Sequence, residues 1–333
     1  MGASILPYKE WTQEEQERLK LYAGKYKAKD LEQFFPGRTW RAIQANYINK
    51  KIYNRYSNSL YNYNISFWSS FNPINSYYAG FAAADAHIPT KRKELIFILN
   101  PKDYLLLYKL KQLTNYTGPI SFYKRKFPYK DEFQYFCKLK FSCMHWREDL
   151  INNFSLIPQK TFRLTGPSFN NEYLDFCYII GFIDGDGAIF NHQKNKNSVT
   201  FTITSGAEKL LQWIKEKIDN KFNLEYRSIW TKCGNGRIYN KKGRTYNYVS
   251  SSSIRSSVII NYFRQFPIPK LARKWDQPEV LQKIEYYKGK YPQYFIDLEI
   301  PEKWKNYKYE NIQPYDYITD TNGFFKEQHY KLF

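Results

Sequence analysis

The sequence predicts an α+β fold: two pseudo-symmetric copies of a helix–strand–strand–helix–strand–strand–helix unit behind a small three-helix unit. Three observations carry this. The stretch YYAGFAAADAHI (Tyr77–Ile88) recurs as CYIIGFIDGDGAIF (Cys177–Phe190); with Ala79-Gly80-Phe81 laid on Ile180-Gly181-Phe182, Asp85 falls on Asp186, 101 positions on. The same order of strand-like and helical segments follows each copy, the signature of an internal repeat. Ahead of both lie short capped segments with apolar residues at helical spacing.

The elements follow in order. WTQEEQERLKLYAG carries Thr12 as an N-cap with Glu15 three residues on, a capping-box pattern, and Leu19 and Tyr22 continue its apolar face. DLEQFF stops at Pro36-Gly37, and RTWRAIQANYINKK starts at a Thr39 cap with Trp40, Ile43 and Tyr47 on one face. Three helices with a basic third one, over residues 1–50, read as a helix-turn-helix whose last helix enters the major groove. Arg38, Arg41, Gln44, Asn46 and Lys50 would then face DNA; the alternative is a three-helix packing module with a solvated third helix. The spacing Trp11…Trp40 with Leu and Phe between resembles the Myb/SANT-like family, which implies DNA binding. Residues 51–75 lack clear periodicity and read either as a linker lying along DNA or as a loop packed on its own protein.

The first half spans 76–165. Its motif helix leads to strand-like ELIFILN, helical PKDYLLLYKLKQLT, strand-like GPISFYKRK and FQYFCKLKFS, helical MHWREDLINNFS and the end LIPQKT. The second spans 172–280: SVTFTITS, helical AEKLLQWIKEKIDNKF, strand-like EYRSIWTKC and TYNYVSSSS, helical SVIINYFRQF and PIPKLARKW. Residues 281–333 have no counterpart in either copy and form a C-terminal extension of unassigned role.

Composition narrows the function. Lys and Arg number 51 against 31 Asp and Glu, a net charge of +20, which favours polyanions through long-range attraction and counterion release. No run of 18 apolar residues is present, so no membrane span is expected. MGASILPYKEW has no basic region followed by an apolar stretch, so secretion is not expected. The four cysteines, Cys137, Cys143, Cys177 and Cys233, form no CxxC pair, consistent with free thiols in a reducing intracellular compartment: cytoplasm, nucleoid or organelle. Double-stranded DNA is the expected partner.

The repeated motif supplies the chemistry. Small residues Ala79, Gly80 and Ala83, matched by Gly181 and Gly185, let two helices approach closely. Side by side, those helices would bring Asp85 and Asp186 together at their C-terminal ends, where two carboxylates repel unless cations intervene. Oxygen ligands with open positions suit Mg²⁺ (or Mn²⁺), which keeps waters and accepts phosphate oxygens, and such a site can activate water for phosphodiester cleavage. Asp184 has no partner, because Ala83 stands at its place, and reads as local structure. A single copy of the motif could equally be a glycine-rich turn with a solvated aspartate or a lone calcium loop; the repetition argues against that.

IIGFIDGDG (Ile179–Gly187) and YAGFAAADA (Tyr78–Ala86) resemble the two signature motifs of single-chain LAGLIDADG homing endonucleases, over roughly residues 74–280. The resemblance implies two αββαββα halves with saddle-shaped antiparallel sheets, the motif helices at their interface. It implies that Asp85 and Asp186 bind divalent metal shared with DNA phosphates, joined by the carbonyls of Ala84 and Gly185. It implies a supporting lysine in each half, Lys160 and Lys274, with Lys270 and Arg273 as alternatives to the latter. A polar residue ordering water would be Asn100 or Ser205. The first motif departs from the pattern at Ala83 and Ala86, neither of them a metal ligand in this mapping.

Strand residues would read the DNA, alternate side chains meeting bases and phosphates. Candidates in the first half are His87, Thr90, Lys91, Arg92, Lys124, Arg125, Lys126, Lys138 and Lys140. In the second they are Asn191, Gln193, Lys194, Lys196, Arg227, Trp230, Lys232, Arg237, Lys241, Lys242 and Arg244. The expected activity is a site-specific double-stranded DNA endonuclease acting as a monomer on a long asymmetric target, which the N-terminal unit lengthens. The alternative, from a different class, is an RNA-splicing maturase bound to intron RNA, or a non-cleaving regulator, on the same fold. An intein remnant is disfavoured, since residue 1 is neither Cys nor Ser and the chain ends HYKLF.

Overall fold

A computed structural model describes residues 10–22, 29–49, 61–126, 133–191, 198–222, 237–241, 245–250 and 252–314. The N-terminal unit consists of α1 (Gln13–Tyr22), a 3-10 turn (Asp30–Phe34) and α2 (Trp40–Asn49). The capping box forms: the Glu15 amide donates to Thr12 Oγ1 (3.2 Å) and the Thr12 amide to Glu15 Oε2 (2.9 Å). Leu19, Leu31, Phe35 and Ile43 make a small core with Trp11, Tyr22 and Phe34 against it.

Two residues expected to face DNA are instead structural. Arg38 is buried; its Nε donates to Glu15 Oε1 (3.0 Å), its Nη2 to Oε2 (2.7 Å), and its guanidinium lies 4.4 Å from the Trp11 ring centre. That fork holds the Glu15 carboxyl at about 2, below its ordinary 4.5. Asn46 is also buried. Arg41 and Gln44 are exposed, and so, against the expected apolar face, is Trp40 at 37%. Lys50 lies outside the described residues.

Two copies of one αββαββα unit follow. The first is α3 (Pro73–Asp85), β1 (Ala86–His87), β2 (Glu94–Leu99), α4 (Tyr104–Leu113), β3 (Ile120–Lys126), β4 (Phe133–Ser142) and α5 (Met144–Phe154). The second is α6 (Glu172–Asp186), β5 (Gly187–Asn191), β6 (Val199–Ser205), α7 (Glu208–Lys221), β7 (Arg237–Lys241), β8 (Thr245–Val249) and α8 (Ser253–Arg264). Each contributes a four-stranded antiparallel sheet, ordered β1-β2-β4-β3 and β5-β6-β8-β7. The fold is α+β. Alternation turns Leu95, Phe97 and Leu99 of β2, and Val199, Phe201 and Ile203 of β6, into one continuous core with the helices.

Local chemistry moves several boundaries. Helix α3 starts at Pro73 rather than at 76, because Asn72 and Asn75 form a capping box and Pro73 fits the first turn. The described part of 51–75 is a packed loop, not a linker: Trp68 is fully buried, and Trp146 Nε1 donates to the carbonyls of Asn64 and Ile65 (both 3.1 Å). Helix α8 starts four residues before the expected Ser257 because the Ser252 hydroxyl caps the Arg255 amide (3.2 Å). The strand expected over 225–233 lies outside the described residues, and β8 pairs with Arg237–Lys241.

Beyond α8 come α9 (Ala272–Trp275) and α10 (Pro278–Lys290), which crosses the boundary expected at 280. The chain then straps back over both halves. Trp304 is buried and stacks on Tyr173 (5.1 Å), the Ala272 amide donates to Ile312 O (2.8 Å), and Lys109 of the first half lies 5.5 Å from the Tyr309 ring. Among the described residues no helix is long and apolar enough to cross a membrane.

Candidate functional site

The site is built on the seam between α3 and α6. A Cβ on Gly80 would lie 1.9 Å from Tyr178 O, and one on Gly181 would lie 1.9 Å from Tyr77 O. Each glycine thus meets the backbone of the other helix at the residue matching the one three places before itself, an isologous contact like that of a two-fold dimer but within one chain. Both helices are buried on all sides, which explains why their sequences are apolar all round rather than striped.

This contact delivers the two repeated acids to one place, the C-terminal ends of α3 and α6. Asp85 reaches over the end of α6: a Cβ on Gly185 would lie 3.1 Å from its Oδ2. Burial, and then the charge of Asp186, push the Asp85 carboxyl up to about 6. Burial also raises Asp186, against the pull of Lys160 and Lys274, although its side chain opens to solvent. The negative ends of two helix dipoles add to the excess of negative charge.

Two lysines answer that charge. Lys160 Nζ donates to the carbonyls of Ala83 and Ala84 (2.6 Å to the latter) at the end of α3. Lys274 Nζ donates to the carbonyls of Ile183 (2.9 Å), Asp184 (2.6 Å), Gly185 (3.1 Å) and Gly187 (2.8 Å) at the end of α6. Burial lowers both ammonium groups, Lys160 to about 8 from 10.5. The carbonyls of Ala84 and Gly185, expected to face a metal, therefore each accept a lysine proton. Lys270 and Arg273 are occupied elsewhere: Lys270 is buried on the carbonyls of Phe266 and Ile268, and Arg273 pairs with Asp103.

Asp184 is fully engaged in structure. It accepts from Tyr77 Oη (2.6 Å), Trp275 Nε1 (2.7 Å) and the Leu271 amide (3.1 Å), tying α3 and the lysine segment to α6. Asn100 and Ser205, considered as water-ordering groups, are local caps: Asn100 Oδ1 accepts the Lys102 amide (3.0 Å) and Ser205 Oγ the Ala207 amide (3.1 Å).

Among the described residues no three or more His, Cys, Asp or Glu side chains cluster. The donor set is two buried-site carboxylates, Asp85 raised further by the charge of Asp186, a repulsion that a divalent cation would relieve. Two carboxylates with open positions fit Mg²⁺ or Mn²⁺, whose remaining ligands are water and phosphate oxygens.

The cross-strand registers sort the candidate DNA contacts by face. Ile96 opposes Lys140, Ile98 opposes Lys138, which opposes Ser121, and Arg125 opposes Gln134; these lie away from the core, with His87 beside Ile96. Lys124 and Lys126 lie on the opposite face, in register with Tyr135 and Phe133, so three consecutive basic residues cannot share one groove. Lys140 is paired with Glu94 (3.2 Å). Thr90, Lys91 and Arg92 are exposed between β1 and β2.

In the second half Asn191 shares the core face with Ile189, opposite Val199, rather than the outer one. Arg237 and Lys241 stand on β7 opposite Val249 and Thr245. Gln193, Lys194, Lys196, Arg227, Trp230, Lys232, Lys242 and Arg244 lie outside the described residues. The outer face also carries Thr200, Thr202, Thr204 and Asn247, with Thr204 and Asn247 side chains 2.6 Å apart. None of the four is charged; the alternation in SVTFTITS marks the three threonines.

This geometry defines a protein of two pseudo-symmetric halves with paired acids at a helix seam. Residues 179–277, most of the second half and its lysine segment, match the family model described as LAGLIDADG endonuclease, so a LAGLIDADG domain occupies that span. Among solved structures the chain is similar to full-length DUF199/WhiA from Thermatoga maritima (15% identity, TM-score 0.41, 65% of this chain and 59% of that one). It is similar to the N-terminal LAGLIDADG domain of DUF199/WhiA (17%, 0.35, 54% and 75%). A third is the homing endonuclease I-WcaI bound to its DNA recognition sequence (15%, 0.40, 67% and 87%). The chain thus spans 59% of the length of full-length WhiA. No curated protein matches.

Proposed function

We propose that this chain is a site-specific double-stranded DNA endonuclease, with Asp85 and Asp186 jointly holding Mg²⁺ or Mn²⁺. The observation that carries this is the meeting of two acids, 101 residues apart, at the end of a glycine-mediated helix seam. A bound divalent ion supplies charge neutralisation at the scissile phosphate and a lowered pKa for attacking water. The chain's own residues do the rest. Lys160 spends two N–H groups on the Ala83 and Ala84 carbonyls and keeps a third for a phosphate oxygen, where a fixed positive charge stabilises the transition state. Lys274 holds the end of α6 in place. The outer sheet faces bind the duplex on either side, and the N-terminal unit, read as a Myb-like helix-turn-helix, adds a tethered contact through Trp40, Arg41 and Gln44. One chain with two unlike halves acts as a monomer on a long asymmetric site inside a reducing compartment.

Selection of cut sites from a randomised duplex library in Mg²⁺ tests the reading. Asp85→Asn and Asp186→Asn should each lower cleavage at least ~100-fold, the scale of losing one preorganised charge-stabilising group, while DNA binding in EDTA persists. Cutting that survives both substitutions sinks the metal assignment. A second reading, a regulator or an intron-RNA maturase that binds without cutting DNA, is favoured by one observation: the Ala84 and Gly185 carbonyls are already taken by lysines. Binding of a selected duplex with no cleavage in Mg²⁺ or Mn²⁺ decides for it.

A further inference from the structure

Each half ends in a segment that carries its lysine to its own motif helix and then touches the other half. After Lys160, Thr161 and Phe162 pack on the turn after β6: a Cβ on Gly206 would lie 2.6 Å from Thr161 O and 2.9 Å from the Phe162 ring. The second half makes the corresponding contact with charge. Arg273, next to Lys274, donates Nε to Asp103 Oδ1 (2.7 Å) and Nη2 to Oδ2 (2.6 Å), and Asp103 closes the turn after β2. Asp103 is 7% exposed, so the pair is half sunk in the protein.

A bidentate guanidinium–carboxylate pair fixes orientation as well as distance. The segment bearing Arg273 is already held on three sides. Leu271 N and Trp275 Nε1 rest on Asp184, Ala272 N on Ile312 O, and Lys274 on the end of α6. Arg273 brings this rigid piece to bear on the first half at the turn after β2.

We propose that Arg273 and Asp103 are a positioning pair that locks the first half against the lysine segment of the second and so sets the separation of the Asp85 and Asp186 carboxylates. The inference rests on the reading that those acids share a divalent cation, not on DNA cutting. Neither residue touches the ion; they act through the placement of the groups that do.

Mn²⁺ binding by the full chain, followed by the electron paramagnetic resonance signal of free Mn²⁺, reads this without cleavage. Arg273→Gln and Asp103→Asn should weaken Mn²⁺ about tenfold, the usual scale for a group that orients metal ligands. Arg273→Lys, which keeps charge but loses the fork, should fall between, with a melting temperature close to wild type because the α3–α6 seam is intact. Wild-type Mn²⁺ affinity in Arg273→Gln, or no Mn²⁺ binding by the wild type, overturns the pair's role. Mn²⁺ binding that depends on Arg273 in a protein that cuts no DNA supports the pair and removes the nuclease reading instead.

Discussion

Asp184 and Ala83 occupy matching places in the two motifs, and the difference between them is visible in the matching tyrosines, Tyr77 and Tyr178. Tyr77 Oη donates to Asp184. Tyr178, its counterpart, packs its ring near Phe169 and Trp213, and its buried hydroxyl has no partner among the described residues. Tyr77→Phe removes a donor from a buried carboxylate and should cost about 1–3 kcal/mol, whereas Tyr178→Phe discards an unsatisfied group and should cost nothing or stabilise slightly. Paired thermal melts check the contrast, and equal losses would refute it. At this scale the sequence was informative about Asp85, Asp186 and Asp184, because comparison of two copies separates a repeated acid from an unrepeated one. It misled on Arg38, expected to face DNA, whose guanidinium turns inward to Glu15 and Trp11. Nor could it pair Asp103 with Arg273, 170 residues apart, since a charge in sequence carries no address.

The elements α3 and α6 were legible as close-packing helices from their small residues, Gly80 and Gly181 above all, since a Cβ at either would lie 1.9 Å from a carbonyl of the facing helix. Gly80→Ala or Gly181→Ala must push backbone away from backbone. Each should cost about 1–3 kcal/mol through overpacking and abolish whatever activity depends on the acids; unchanged stability in both would contradict the seam. Element ends were read less well, because capping by Asn72 or Ser252 is decided by one side-chain hydrogen bond that periodicity does not register. Strand faces were legible only where alternation was respected: SVTFTITS sorts itself into core and outer rows, while the run Lys124–Lys126 misleads if its charges are counted together.

For the whole molecule, the charge of +20 sets a long-range attraction to phosphates, and the N-terminal unit is the proposed second contact. A tethered module raises apparent affinity by roughly 100-fold or more without new chemistry. Deleting residues 1–50 should therefore weaken binding to a selected duplex on that scale and shorten the protected footprint, leaving the catalytic step itself in place. A footprint of unchanged length would remove the unit from DNA recognition. The C-terminal strap is the part of the architecture the sequence concealed most: Trp304 and Ile312 sit among polar residues and reveal their role only through Tyr173 and the backbone of 270–272.

The isologous glycine contact also has a consequence in time. Helix α3 is synthesised with its glycine face bare, and the helix that covers it lies 101 residues further along the chain. At ribosomal speeds that is a delay on the order of 5–20 s. Through that interval the nascent first half carries a seam shaped to receive a helix like its own, and another nascent copy of the same half is the nearest imitation of the partner it awaits.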